Sequence, residues 1–138
     1  MEIERILKEI KELYSGGPVS EARIQEAEEE LGAKFAPDYR KYLEMYGCIS
    51  FDGHEMTGIT AVPRLNVVKA TKENRVYEPA VPKDFYVIEE TEMDGIIIWQ
   101  SGEGKIYSTI PRHQPELLCD SLAEYYLRCH RLSEKGVN

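Results

Sequence analysis

The residue types that most often bind metals or act as nucleophiles are few in this chain. They are His54, His113, His130, Cys48, Cys119 and Cys129. The histidines stand in no HExxH motif, and the cysteines have no CxxC spacing. Neighbouring residues on a helix point in different directions, so adjacent Cys and His side chains do not readily face one site. The spacing therefore predicts no metal site and no cofactor.

Cys119 and His113 are the pair best spaced for nucleophilic catalysis, which needs a thiol activated by a nearby base. Cys119 precedes a predicted helix, where the helix dipole favours a thiolate, whereas Cys48 follows a helix end. An enzyme centred on this pair is one hypothesis, and a buried thiol beside a polar loop is the simpler one. The odd number of cysteines argues against a disulfide framework. We predict no catalytic residue and a protein that is not an enzyme.

Acidic residues crowd the predicted turns of the second half of the chain. We predict that they form a partner-binding surface made of Asp52, Glu55, Glu89, Glu90, Glu92, Asp94 and Glu103. Such a patch pairs with Lys and Arg of a basic partner and raises the association rate more than the affinity. The alternative is that these turns are polar because they are exposed to water.

The net charge of −8 and the pI of about 5.0 limit the classes of partner. Binding to a nucleic-acid backbone needs clustered Lys and Arg, so the net negative charge disfavours nucleic acid as a partner. The same charge favours encounter with a basic protein. Many proteins are acidic for solubility alone, and charge by itself does not choose between these explanations.

The length of 138 residues, with 42% hydrophobic and 30% charged residues, fits a single globular domain over residues 1–138. The chain opens with Met1-Glu2-Ile3-Glu4, which is unlike the basic start of a signal peptide. The longest apolar run, Ile96–Trp99, is far shorter than the roughly 18 residues that span a bilayer. We therefore expect a cytoplasmic protein with no membrane partner.

Residues 19–47 predict the two helices around which the chain is organised. Ser20 is a natural N-cap for the first, and Gly32 is suited to the left-handed conformation that ends it. The second helix begins at Pro37 and ends at Gly47. Both helices carry an apolar stripe at helical spacing, which predicts a hairpin packed on a core.

The remaining segments of the first half are less uniform. Residues 1–14 have an apolar stripe that predicts a helix, followed by a linker to residue 18. Residues 28–30, all Glu, are most simply an exposed helix face. Gly58 marks a bulge or a close backbone approach. Residues 65–76 are either a short helix capped by Asn66 or a loop with one helical turn.

Residues 85–110 predict a three-stranded meander. Asp94-Gly95 is a type I′ hairpin signal, and the apolar run 96–99 predicts a central strand covered on both faces. A polar loop at 112–115 precedes a helix from about 121 to 132, in which Glu124 occupies a capping-box position. The order predicts an α+β fold, with N-terminal helices and a C-terminal helix packed around a mainly antiparallel, twisted sheet.

Four short motifs occur in a characteristic order: EEELG, PDYRKYLEMYG, GKIY and SLAEYY. In this order they resemble the SUKH superfamily, the Smi/Knr family, over residues 19–132. Two positions depart from the family pattern, since Ala36-Pro37 replaces Leu-Pro and Tyr46-Gly47 replaces Asn-Gly.

The resemblance implies a function that the residues alone do not give. Bacterial members of the family include immunity proteins, which bind and neutralise a cognate toxin, often a nuclease, without turnover or cofactor. It therefore implies a basic, nuclease-like protein toxin as the partner. A regulatory or scaffold module is the alternative within the same superfamily. Oligomeric state is left open.

Overall fold

The structure is a computed structural model that describes residues 2–134, except for the side chains of Ser133 and Glu134. The predicted α+β class is confirmed, with five α-helices in this part of the chain. They are α1 (Ile3–Glu9), α2 (Glu21–Leu31), α3 (Pro37–Tyr46), α4 (Val67–Tyr77) and α5 (Leu122–Glu134). No helix within residues 2–134 is both long and apolar enough to cross a bilayer.

The described strands form two antiparallel sheets. The smaller one has the order β1-β2-β3, with β1 (Tyr14–Ser15), β2 (Ile49–Phe51) and β3 (His54–Glu55). The larger one is a meander of β4 (Tyr86–Glu90), β5 (Ile97–Gln100), β6 (Ile106–Thr109) and β7 (Glu116–Cys119). Strand β7 was not expected from the sequence, because as an edge strand it leaves Leu117 exposed and lacks clear alternation.

The first helix is shorter than predicted. It ends at Glu9, and Glu12 takes the left-handed conformation with φ 56°. Tyr14 then pairs with Ser50 in the smaller sheet, and its side chain is exposed. Hydrogen bonding to β2 thus overrides the local helical pattern at residues 13 and 14. The N-terminal end of the prediction, Met1, lies outside the described residues.

The α2–α3 hairpin begins and ends where the sequence predicts. Ser20 Oγ accepts from the Arg23 N–H at 3.3 Å, and Gly32 ends α2 with φ 66°. Pro37 opens α3, and Gly47 closes it with φ 74°. The inner face of α3 fills the centre of the main core, where Tyr39, Tyr42 and Leu43 are fully buried.

The ambiguous segment after residue 65 is helix α4. Asn66 Oδ1 accepts from the Val68 and Lys69 N–H groups at 3.0 and 3.3 Å, which satisfies the first turn. Just before it, Gly58 forms a bridge to Asn66, and a Cβ at Gly58 would lie 1.8 Å from the Gly47 carbonyl oxygen. The predicted close backbone approach at Gly58 is confirmed.

Strand β5 is covered on both faces, as its apolar run predicts. Ile98 joins the main core, whereas Trp99 packs in a second cluster with Phe85 and Val87. The hairpin before β5 turns at Asp94 and Gly95, with φ of 49° and 73°, and the Ile96 N–H donates to the Met93 carbonyl at 2.8 Å. Two positive φ values are the mark of the predicted type I′ turn.

Helix α5 is capped by Ser121, and Glu124 reaches back to the residue before the cap instead of to the cap itself. Ser121 Oγ accepts from the Glu124 N–H at 3.2 Å, and the Glu124 carboxylate accepts from the Asp120 N–H at 3.3 Å. Its inner face is buried as expected, at Leu122, Tyr125, Tyr126 and Cys129. The helix extends to Glu134, into the predicted tail, and residues 135–138 lie outside the described part of the chain.

Candidate binding site: an acidic cleft beside an apolar groove

Four of the predicted partner-binding carboxylates line one depression, which we call the acidic cleft. Its walls include Glu55, Glu89, Glu90, Glu92, Thr91 and Arg64, and its volume is about 120 Å³. It lies between the end of β4 and the residues around β3. Tertiary packing thus gathers residues from two distant turns of the sequence.

A second depression, which we call the apolar groove, adjoins the cleft and has a volume of about 540 Å³. It lies where the β4–β5 hairpin, the β2–β3 turn and the C-terminal half of α5 meet. Its apolar wall comprises Met93, Ile96, Ile98 and Leu132. Met93 is 55% exposed and Leu132 is 48% exposed, so the groove presents large apolar side chains to solvent.

The cleft and the groove share Gly53, Glu89 and Thr91, so they form one continuous surface. Asp52 lies on the groove side, where its carboxylate binds His130 Nδ1 at 2.7 Å. Glu55 binds Arg64 at 2.5 Å on the cleft side. These two side-chain contacts lie at opposite edges of the combined surface.

The two remaining predicted carboxylates lie in different places. Asp94 is exposed in the type I′ turn, next to the groove. Glu103 lies in the β5–β6 turn, and because β4 and β5 are antiparallel that turn is at the opposite end of the sheet. The structure therefore does not bring Glu103 together with the other six.

Glu89 differs from its neighbours because it is only 4% exposed. Its Oε2 binds His54 Nδ1 at 2.8 Å, and its Oε1 accepts from the Tyr125 hydroxyl. The adjacent Cys129 sulfur and the Glu89 carboxylate raise the pKa of His54 to about 10, against the effect of desolvation. The positive ring balances the buried carboxylate, so Glu89 organises the floor of the groove instead of presenting a free charge.

Glu55, Glu90 and Glu92 are the exposed acids of the cleft, and of these Glu55 is paired with Arg64. Desolvation raises the pKa of Glu90, and the charges of Glu73 and Glu92 add to that increase against a hydrogen bond from Asn74. Neighbouring carboxylates that disfavour one another's ionisation mark a region of negative potential. A cation brought to this position relieves that repulsion.

The candidate nucleophile pair is not assembled. His113 is exposed, and its Nδ1 lies 3.0 Å from the Pro111 carbonyl oxygen. Cys119 is buried at the far end of β7, where desolvation raises the pKa of its thiol to about 11. Because the length of β7 separates the two side chains, this geometry does not support the Cys119–His113 enzyme hypothesis.

A different cluster joins the residue types that the sequence left scattered. His54, Glu89 and Cys129, on β3, β4 and α5, have ligand atoms that all lie within 4.8 Å of one another. Sequence spacing missed this cluster because its members come from three separate elements. The neighbouring His130 faces Asp52 instead, as expected for adjacent residues on a helix.

The fold and this surface define a small α+β protein in which an acidic cleft adjoins an apolar groove. The family model SUKH_5, described as SMI1-KNR4 cell-wall, matches residues 3–129. The chain therefore belongs to this family, and the match includes α1. No curated protein matches the chain.

The family's signature residues serve the fold. In the Asp-Tyr-Arg motif, Asp38 accepts from Gln100 Nε2 at 2.9 Å and from the Leu122 N–H at 3.0 Å, which ties α3 to β5 and α5. Tyr39 is buried in the core, and Arg40 binds Glu28. Since the signature positions build the scaffold, the function has to be argued from the surface.

Proposed function

We propose that this protein is an immunity protein that binds and neutralises a basic protein toxin. The observation that carries the proposal is the continuity of the acidic cleft with the apolar groove at Glu89 and Thr91. Membership of the SUKH family supports the same function, and so does the net charge of −8. The family resemblance points to protein binding, without catalysis or a cofactor.

In the proposed complex, an apolar side chain of the toxin enters the groove while neighbouring Lys or Arg side chains face the cleft. Covering the half-exposed Met93 and Leu132 contributes on the order of 1 kcal/mol each. A few buried anchors of this kind dominate the energy of most interfaces. Glu90 and Glu92 act mainly on the association rate and on partner choice.

The proposed toxin is a nuclease, because the active surface of a nuclease is basic in order to bind phosphates. An acidic protein that occupies such a surface excludes the nucleic acid by direct competition. Inhibition of this kind is stoichiometric and leaves both proteins chemically unchanged. We expect one toxin molecule to be neutralised by one bound copy of this chain.

The first experiment is a pull-down of the tagged protein from its native cells at low and moderate salt, with mass spectrometry of the recovered chains. The expected partner is one stoichiometric, basic chain. That chain is then expressed alone and together with this protein. Growth arrest by the partner alone, and rescue by co-expression, are the expected results.

A matched pair of variants tests the surface. Met93→Glu places a charge in the groove, and Val76→Glu places the same charge at another exposed apolar position on α4. Loss of rescue with Met93→Glu alone is the expected result.

In the pull-down, recovery of many signalling or cell-wall proteins with no toxic member would overturn the proposal and favour a scaffold. Equal rescue by the Met93→Glu and Val76→Glu variants would exclude the groove as the contact with the toxin.

A further inference from the structure

The floor of the groove contains a set of side chains whose chemistry goes beyond protein recognition. His54 provides an imidazole nitrogen, Glu89 a carboxylate oxygen and Cys129 a sulfur, all within 4.8 Å of one another. Glu89 and Cys129 are buried, and His54 is partly buried. The three donors come from β3, β4 and α5, so the position between them is fixed by three separate elements.

We propose that His54, Glu89 and Cys129 bind a divalent transition metal of the zinc class. A mixed nitrogen, oxygen and sulfur ligand set suits Zn²⁺, whereas Mg²⁺ and Ca²⁺ prefer oxygen alone. Ligands of a tetrahedral Zn²⁺ stand roughly 3.3–3.6 Å apart, given metal–ligand distances of about 2.0–2.3 Å. No pair of ligand atoms in the cluster is more than 4.8 Å apart. His54 Nδ1 and Glu89 Oε2 are in direct contact at 2.8 Å, so these two side chains move apart by less than about 1 Å to admit the metal.

Tyr125 forms a hydrogen bond with Glu89, one of the three proposed ligands. Its hydroxyl donates to Glu89 Oε1, which leaves Oε2 directed at His54 and at the proposed metal position. Hydrogen bonds of this kind orient a carboxylate ligand and are typical of metal centres. Tyr125 is therefore a positioning residue for the proposed site and does not itself bind the metal.

Three protein ligands leave one position of a tetrahedral metal open. The three ligand residues all line the apolar groove, so we expect the open position to face that groove. Water or a donor group of a bound molecule completes the coordination there. On binding, Zn²⁺ takes the place of the Cys129 thiol proton and of the proton between His54 and Glu89, and both protons go to solvent.

The test uses the full chain after treatment with a chelator. Co²⁺ is titrated in as a spectroscopic probe, and Zn²⁺ is then added to displace it. We expect a thiolate-to-cobalt charge-transfer band that Zn²⁺ removes. Cys129→Ser abolishes the band, whereas Cys119→Ser retains it, because Cys119 is a second buried thiol outside the cluster.

Two further variants keep the test decisive if Cys129→Ser fails to fold. His54→Gln, at the partly exposed edge of the site, removes a ligand and is expected to abolish the band. Tyr125→Phe keeps all three ligands and is expected to weaken Co²⁺ binding roughly 10–100-fold. No band in the folded wild-type protein, or a band that survives both Cys129→Ser and His54→Gln, would overturn the proposal.

Discussion

Glu28 on α2 holds Arg40 on α3, with Glu28 Oε1 accepting from Arg40 Nη1 at 2.9 Å. The second oxygen of the same carboxylate accepts from the Phe35 N–H at 2.8 Å in the connection between the two helices. Glu28 is only 5% exposed, although the sequence suggested a solvated acidic face at residues 28–30. That expectation was wrong for Glu28, because the chain after Gly32 folds back over it.

Replacing Glu28 by Ala should therefore destabilise the protein. The change leaves the buried Phe35 N–H without its acceptor and removes one of the two carboxylate partners of Arg40, the other being Glu21. We therefore expect the free energy of unfolding to fall by about 2–4 kcal/mol. Glu29→Ala is the matched control, since its exposed side chain should change stability by no more than about 0.5 kcal/mol. Urea unfolding of both variants measures the difference, and equal midpoints would contradict the prediction.

Gly58→Ala should be among the most damaging single substitutions. The added Cβ would lie 1.8 Å from the Gly47 carbonyl oxygen, so two backbone segments would have to separate. We expect a loss of at least about 3 kcal/mol or failure to fold. Gly53→Ala is the control, because its Cβ meets no atom within 4 Å and its φ of 81° costs only about 1–2 kcal/mol. Thermal unfolding of both variants tests this prediction. Similar melting temperatures would count against the close approach of Gly58 to the Gly47 carbonyl group.

Alkaline pH should unfold the protein through its buried tyrosines. Desolvation raises the pKa of Tyr39, Tyr42, Tyr86, Tyr125 and Tyr126 above the unfolded value of about 10. A folded pKa above the unfolded one gives stability that is complete below about pH 10 and is lost as the pH rises further. The part of the tyrosinate absorbance that comes from these five buried tyrosines should therefore change together with circular dichroism, above about pH 10. Full ionisation of all tyrosines in a protein that stays folded would contradict this.

Reversing the charges of Glu90 and Glu92 should slow association with the proposed toxin. The double variant Glu90→Lys and Glu92→Lys removes the negative potential of the acidic cleft, so the association rate should fall and depend less on salt. The control is Glu29→Lys with Glu44→Lys, which makes the same change in net charge on exposed positions of α2 and α3. Stopped-flow association at several salt concentrations compares them, and equal rates in both double variants would remove the cleft from the interface.

Alkylation should distinguish the three free cysteines. Cys48 is partly exposed, whereas Cys119 and Cys129 are buried, and desolvation raises the pKa of Cys119 to about 11. Because the thiolate is the reactive form, iodoacetamide should modify Cys48 first in the native protein with a chelator present. Peptide mass spectrometry of samples taken over time shows the order in which the three cysteines are modified. Modification of Cys119 at the rate of Cys48 would contradict the burial described for β7.

The sequence by itself determined where several helices and turns begin and end. The cap at Ser20, the end of α2 at Gly32 and the type I′ turn at Asp94-Gly95 were all predicted and confirmed. Each depends on backbone groups within a few residues, so residue type and spacing are sufficient. The central position of strand β5 could also be predicted from the sequence, because a strand that is apolar on both faces has to be buried on both faces.

Only the tertiary structure decided the rest. Strands β1 and β7 exist because neighbouring strands satisfy their backbone groups, and local sequence contains little record of such pairing. Glu28 and Glu89 look like other surface acids in the sequence, yet packing buries both and supplies their partners. The His54–Glu89–Cys129 cluster and the groove above it likewise depend on three elements meeting, and burial and proximity of this kind are properties of the whole fold.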